Sequence, residues 1–116
     1  MRLVLASGSP RRREILDLLA LEHEVRPPAV AEDLLRGEAP GAAARRLAME
    51  KAAATRSVRE ELILAADTLV VLGDRILGKP SDEEDAVRML LQLQGRRHEV
   101  FTGLALRVGS RVEADV

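Results

Sequence analysis

Residues 3–16, "LVLASGSPRRREIL", run from an apolar stretch through four small residues into three consecutive arginines. Residues 2–6 read as a short buried strand. Ser9 suits a helix N-cap, and Pro10 suits the first helical position, where its missing N–H costs nothing. A strand, a small-residue turn and a helix N-terminus leave backbone N–H groups pointing outward, which makes a ready anion site. Ser7 and Ser9 add hydroxyl donors, Gly8 permits close approach, and arginine forks match phosphate oxygens. Arg11, Arg12 and Arg13 stand where the helix dipole is already positive, so they have the wrong sign for stability unless something negative joins them. The same residues also read as an ordinary cap followed by solvated arginines. They do not form a Walker A loop, which ends in Gly-Lys-Ser/Thr.

Outward from this unit, strands and helices alternate. Residues 23–27 read as a second strand, stopped by Pro27 and Pro28, and a polar loop through Glu32 and Gly37 follows. "PGAAARRLAMEKAAATR" from Pro40 is an alanine-rich helix with Lys51 in its second half. The first helix runs to about Ala20, with Ile15, Leu16, Leu18 and Leu19 as its apolar face. In "LILAADTLVVLGDRILGKP", residues 62–66 and 69–72 are strand-like, with Asp67 and Thr68 interrupting the run. Gly73-Asp74 is a two-residue hairpin turn into residues 75–77. Ser81 opens a capping-box pattern for a helix ending near Gly95. Residues 98–108 alternate, with Val100, Thr102, Leu104, Leu106 and Val108 on one side. The alternation of elements indicates one α/β domain over residues 1–116. The sequence stops inside what reads as a strand, so the expectation is an incomplete domain.

Composition narrows the function. The chain of 116 residues has 18 basic and 19 acidic side chains and a net charge of −1, which argues against a general nucleic-acid or anionic-membrane binder. No apolar run approaches the roughly 18 residues of a membrane span, and the N-terminus has no signal-peptide pattern. The absence of cysteine removes thiol catalysis and zinc-thiolate sites and is compatible with a cytoplasmic protein. Phe101 is the one aromatic residue, which argues against a stacked aromatic platform for bases. Lys51 and Lys79 are the two lysines among 18 cations. In a chain that writes nearly every cation as arginine, a compact ammonium draws notice.

Asp67 follows one apolar run and precedes another. It reads either as a turn carboxylate capping a backbone N–H or as a strand-end carboxylate able to bind a divalent ion or take a proton from water. Glu32 alone reads as a solvated acid. Lys51 could lie on the solvent side of its helix, whereas Lys79, in Gly78-Lys79-Pro80, sits on a constrained loop. His23 and His98 show no metal-ligand spacing.

Taken together, Ser7-Gly8-Ser9-Pro10-Arg11-Arg12, Glu50-Lys51, Ala66-Asp67-Thr68 and Gly78-Lys79-Pro80, in that order, resemble the Maf family of nucleoside triphosphate pyrophosphatases. The resemblance implies a mixed twisted sheet flanked by helices, of the Maf/Ham1-like kind, usually in a cytoplasmic homodimer. It implies hydrolysis of a nucleoside triphosphate to the monophosphate and pyrophosphate with a divalent cation, Mg or Mn. The family's catalytic aspartate matches Asp67. Its substrate-binding positions match Ser7, Arg11, Arg12, Lys51, Thr68 and Lys79, and its metal positions match Glu32 and Asp67. Thr after Asp67 resembles the branch acting on dTTP and UTP, and Thr68 and Arg11 match positions linked to that choice. Family members continue for roughly another third of the chain, with a glutamine that helps select the base. The second implied class is a non-catalytic, nucleotide-binding regulator of septum formation.

Overall fold

The computed structural model describes residues 1–58, 60–78 and 80–116. Lys79 therefore lies outside the described residues. The elements follow in the order β1 (Arg2–Ala6), α1 (Pro10–Leu18), β2 (His23–Val25), α2 (Pro40–Ala54), β3 (Glu61–Leu72), β4 (Arg75–Leu77), α3 (Glu83–Leu93), β5 (Glu99–Val108) and β6 (Arg111–Asp115). They build a mixed sheet of order β2-β1-β3-β5-β6, with β4 against β3. β1 runs parallel to β2 and β3, and the helices α1 and α2 occur in the crossovers that parallel neighbours require. β5 is antiparallel to β3 and to β6.

β3 is one strand of twelve residues, and Asp67 and Thr68 do not interrupt it. Both pair with β5, opposite Gly103 and Thr102. The ladder satisfies the backbone whatever side chain a residue carries, and the period of two sends Asp67 to one face with Ile63, Ala65, Leu69 and Val71. That face is buried by α2, whose Ala44, Leu47, Ala48, Lys51 and Ala52 recur at helical spacing. Small residues let helix and sheet approach closely. A Cβ on Gly103 would stand 2.2 Å from the Ala44 carbonyl oxygen. The core therefore joins Val4, Ala6, Ile63, Ala65 and Ala105 to Ala48 and Ala52, and Leu69 to Ala43, Ala44 and Leu47.

On β5 the side that α2 covers carries Phe101, Gly103 and Ala105, so Val100, Thr102, Leu104, Leu106 and Val108 are the exposed set. α1 ends at Leu18, and of its expected apolar face only Leu16 is buried. Ile15, Leu18 and Leu19 are exposed. The inward positions are Arg12 and Leu16, four residues apart and hence stacked on one side of the helix. The cap of α3 is shifted one residue from Ser81. Asp82 accepts from the Asp85 N–H at 2.7 Å, and Asp85 accepts from the Ser81 N–H at 2.9 Å.

Candidate active site

The site lies where one edge of β3 lacks a strand neighbour. β1 pairs with β3 as far as Ala65, and β4 pairs with it from Val70. Beside the gap, β1 ends at Ala6 and the chain turns through residues 7–9 into α1. Such a crevice beyond the carboxyl end of a parallel strand is where open α/β sheets bind ligands. A cavity of about 440 Å³ fills the place, lined by the residue 7–9 turn, Arg12, Pro27, Pro28, Glu32, Lys51, Asp67 and Thr68. A second cavity of about 330 Å³ shares Glu32, Asp67 and Thr68 and is otherwise mostly apolar, walled by Leu34, Leu47, Leu69, Leu77 and Met89 among others.

Ser7 is buried, and its Oγ accepts the Ser9 N–H at 3.0 Å. This bond shapes the turn. Ser9 occupies the N-cap position but its side chain makes no capping bond. Arg12 donates from Nη1 to the Ala66 carbonyl at 3.0 Å and from Nη2 to Thr68 Oγ1 at 3.0 Å. It thus occupies part of the edge that a strand would otherwise cover. Thr68 Oγ1 also meets Thr102 Oγ1 at 3.0 Å. Arg11 is exposed and does not line the cavity.

Asp67 and Lys51 form the floor. Asp67 is 4% exposed and Lys51 7%, a depth at which neither charge is stable alone. Lys51 Nζ donates to Asp67 Oδ1 at 2.6 Å and stands 2.7 Å from Glu32 Oε1. Ala66 carbonyl oxygen is 3.5 Å away. The second oxygen of Asp67, Oδ2, is buried and has no hydrogen-bond partner among the described residues. The reading of Asp67 as a turn cap is therefore corrected: it is a mid-strand carboxylate paired to a helix lysine. Likewise, Lys51 faces the core rather than solvent, and Glu32 is paired to it rather than merely solvated.

Ser7, Arg12, Lys51, Asp67, Thr68 and Glu32 thus come together from five separate elements or loops. Two supporting residues escaped the sequence reading. Arg46 of α2 donates to Glu38 at 2.9 Å, to the Asp33 carbonyl at 2.8 Å and to Glu50 at 3.0 Å. It fastens the loop that carries Glu32, and its guanidinium holds the Glu38 carboxyl below the ordinary range. At the start of that loop, Arg26 forms a fork with Glu61, at 2.7 and 2.5 Å. Neither Arg46 nor Arg26 belongs to a motif, and in a chain crowded with arginine no local signal sets them apart.

Carboxylate oxygens, an ammonium, a guanidinium and turn amides around one cavity suit a polyanion and a hard cation. Residues 2–116 match the family model described as Maf-like protein. A dTTP/UTP pyrophosphatase of Anaeromyxobacter sp. is 55% identical over 118 residues, which cover 98% of this chain and 56% of the relative. The dTTP/UTP pyrophosphatase of Cereibacter sphaeroides is 50% identical, over 97% of this chain and 59% of its own length. That of Aquifex aeolicus is also 50% identical, over 91% and 56%. The chain spans between half and two thirds of the length of these relatives. With a family model matched from Arg2 to Val116 and relatives at such identity, the chain belongs to the Maf-like protein family.

Proposed function

We propose that this chain carries the triphosphate-binding and water-activating part of a nucleoside triphosphate pyrophosphatase acting on dTTP or UTP. The reaction adds water across the bond between the α and β phosphates, giving a nucleoside monophosphate and pyrophosphate. The observation that carries the reading is Asp67, a buried carboxylate lining a cavity together with Arg12, Lys51, Glu32 and the serine-glycine turn, whose Oδ2 has no hydrogen-bond partner among the described residues. In this reading, the turn amides and Arg12 hold phosphate oxygens and oppose the charge that builds up as the bond breaks. Asp67 takes the proton from the attacking water. Thr68, whose hydroxyl is already committed to Arg12 and Thr102, presents a fixed polar edge for the base. Arg11 and Lys79 complete the phosphate contacts as the family resemblance implies.

A divalent cation, Mg or Mn, belongs to the proposal. The fit rests on donor chemistry. Glu32 Oε1 and Asp67 Oδ1 converge on a single cationic atom, and Asp67 Oδ2 is unsatisfied among the described residues. Hard oxygen donors of this kind, one or two carboxylates together with substrate phosphates, are what Mg²⁺ takes. No cluster of three or more acidic, histidine or cysteine ligands occurs among the described residues, so phosphate and water oxygens would complete the shell. Bound there, the ion would neutralise phosphate charge. A homodimeric, cytoplasmic enzyme is proposed with it. No helix among the described residues is long and apolar enough to cross a membrane.

The test is Asp67→Asn in the complete gene product, read by pyrophosphate release and by nucleotide binding. Loss of a general base costs roughly 10²–10⁴-fold in rate, whereas binding of the triphosphate persists. A panel of dTTP, UTP, ATP and 7-methyl-GTP is expected to show preference for the first two. Equal turnover by the variant removes Asp67 from the chemistry. Binding without turnover in the wild type supports the regulator reading instead.

A further inference from the structure

On the face of the β3–β5 ladder that α2 does not cover, three apolar pairs flank one threonine pair. Leu64 lies opposite Leu106, Ala66 opposite Leu104 and Val70 opposite Val100, with Thr68 opposite Thr102 among them. The two hydroxyls meet, Oγ1 to Oγ1, at 3.0 Å. Arg12 Nη2 donates to Thr68 Oγ1 at 3.0 Å, while Arg12 Nη1 donates to the Ala66 carbonyl at 3.0 Å. Thr68 lines both cavities of the site, and Thr102 lines neither. Whatever Thr102 does for a ligand there, it does through Thr68.

A hydroxyl offers three valences, one proton and two lone pairs. A guanidinium only donates, so Arg12 takes one lone pair of Thr68. Two valences remain, and without a second partner the proton is free to occupy either direction. Thr102 takes one of the two, whichever hydroxyl donates. A single valence is left, in a single direction. From this geometry we infer that Thr102 is a positioning residue for recognition of the nucleoside base, because it leaves Thr68 one hydrogen bond to offer. The inference rests on the reading above, in which Thr68 meets the base. The bond between the threonines can run either way, so the remaining valence serves a base carbonyl or a base N–H, both of which a uracil-type ring presents. A contact to the base is remote from the α–β phosphate bond and acts equally before and during reaction, so its loss falls on KM rather than kcat. Arg12 keeps its bond to Ala66 whatever stands at position 102, which spares the phosphate contacts.

The complete gene product is compared with Thr102→Val, which keeps the β-branched shape without the hydroxyl, with Thr102→Ser, which keeps the hydroxyl, and with Thr68→Val. Thr102→Ala replaces Thr102→Val should the latter fold poorly. Calorimetry measures the affinity of each protein for a non-hydrolysable dTTP analogue and for inorganic tripolyphosphate, which has no base. Pyrophosphate release gives kcat and KM for dTTP. Thr102→Val is expected to lose roughly three- to tenfold in affinity for the analogue, the range of one neutral hydrogen bond. Its affinity for tripolyphosphate should hold, KM should rise without a matching fall in kcat, and Thr102→Ser should restore wild-type affinity. Unchanged analogue affinity in Thr102→Val, where Thr68→Val weakens it, overturns the role of Thr102 and leaves the base contact standing. Equal losses for analogue and tripolyphosphate also overturn it, since they mark a cross-strand pair that only supports the sheet. No loss in Thr68→Val defeats the reading on which the inference rests.

Discussion

The three arginines at the start of α1 have different fates because a helix turns 100° per residue. Arg12 shares its side of α1 with Leu16, the one buried residue of the helix, while Arg11 and Arg13 are exposed. Arg12 also spends two N–H groups on β3, at Ala66 and Thr68, which fixes its plane before any ligand arrives. Arg12→Ala is therefore expected to weaken triphosphate binding by about 1.5–3 kcal/mol, the range for hydrogen bonds to charged groups. Arg11→Ala should cost less. Calorimetric titration with a non-hydrolysable triphosphate compares them, and a larger loss at Arg11 would reverse the assignment. At the same scale, Glu61 is held down to about 2, first by the Arg26 guanidinium and then by the Val58 N–H. An acid with a depressed folded value stabilises the fold above its ordinary value of 4.5, and that contribution is lost as pH falls toward 2. The melting temperature should accordingly drop between these limits, and Glu61→Gln should flatten the drop. Equal pH profiles for the two proteins would show that the fork contributes nothing.

Among the elements, α2 and β3 decide the site, and they were legible to different degrees. β1, the turn at residues 7–9 and the start of α1 could be read because Ser9-Pro10 is local punctuation. The phase of α2 could not. Alanine fits inside or outside, so "GAAARRLAMEKAAA" gives no sharp apolar stripe, and Lys51 reads as naturally toward solvent as toward the core. Its partner resolves the ambiguity, but that partner lies sixteen residues on, in another element. Asp67 in turn looked like a break in β3 because a lone charge inside a strand is costly, and the pairing that removes the cost is not local. The fit of α2 to the sheet rests on a hydrogen atom. Gly103 lies opposite Asp67, and any Cβ there meets the Ala44 carbonyl at 2.2 Å, a backbone atom that cannot rotate away. Gly103→Ala is thus expected to lift α2, costing about 1–3 kcal/mol as overpacking does, and to draw Lys51 off Asp67. Urea unfolding measures the first effect and turnover the second. An unaffected variant would mean that the helix already stands farther from the sheet.

For the molecule as a whole, the α/β class and the ordered motifs were readable, whereas the fastening of the Glu32 loop by Arg46 and Arg26 was not. Those two residues act across eight and thirty-five positions and bear no local mark. The bond from Arg12 to Thr68 spans fifty-six positions. It depends on β1 lying parallel to β3, a pairing with all of α1, β2 and α2 between its strands. The β5–β6 hairpin, by contrast, closes through the two residues Gly109 and Ser110. Chain entropy must be spent on the long closure before any contact returns it, so parallel long-range pairing comes slowly. The order of events during folding follows. The hairpin forms early, and the turn, Arg12 and the floor acids meet only when the sheet is joined across β1 and β3. In stopped-flow refolding, the signal of a bound fluorescent triphosphate should return with the slowest phase, after most of the strand signal. Under the proposed function, a newly made chain would then hold no nucleotide site until its central strands have found each other, and a half-folded one could neither capture nor cleave a triphosphate.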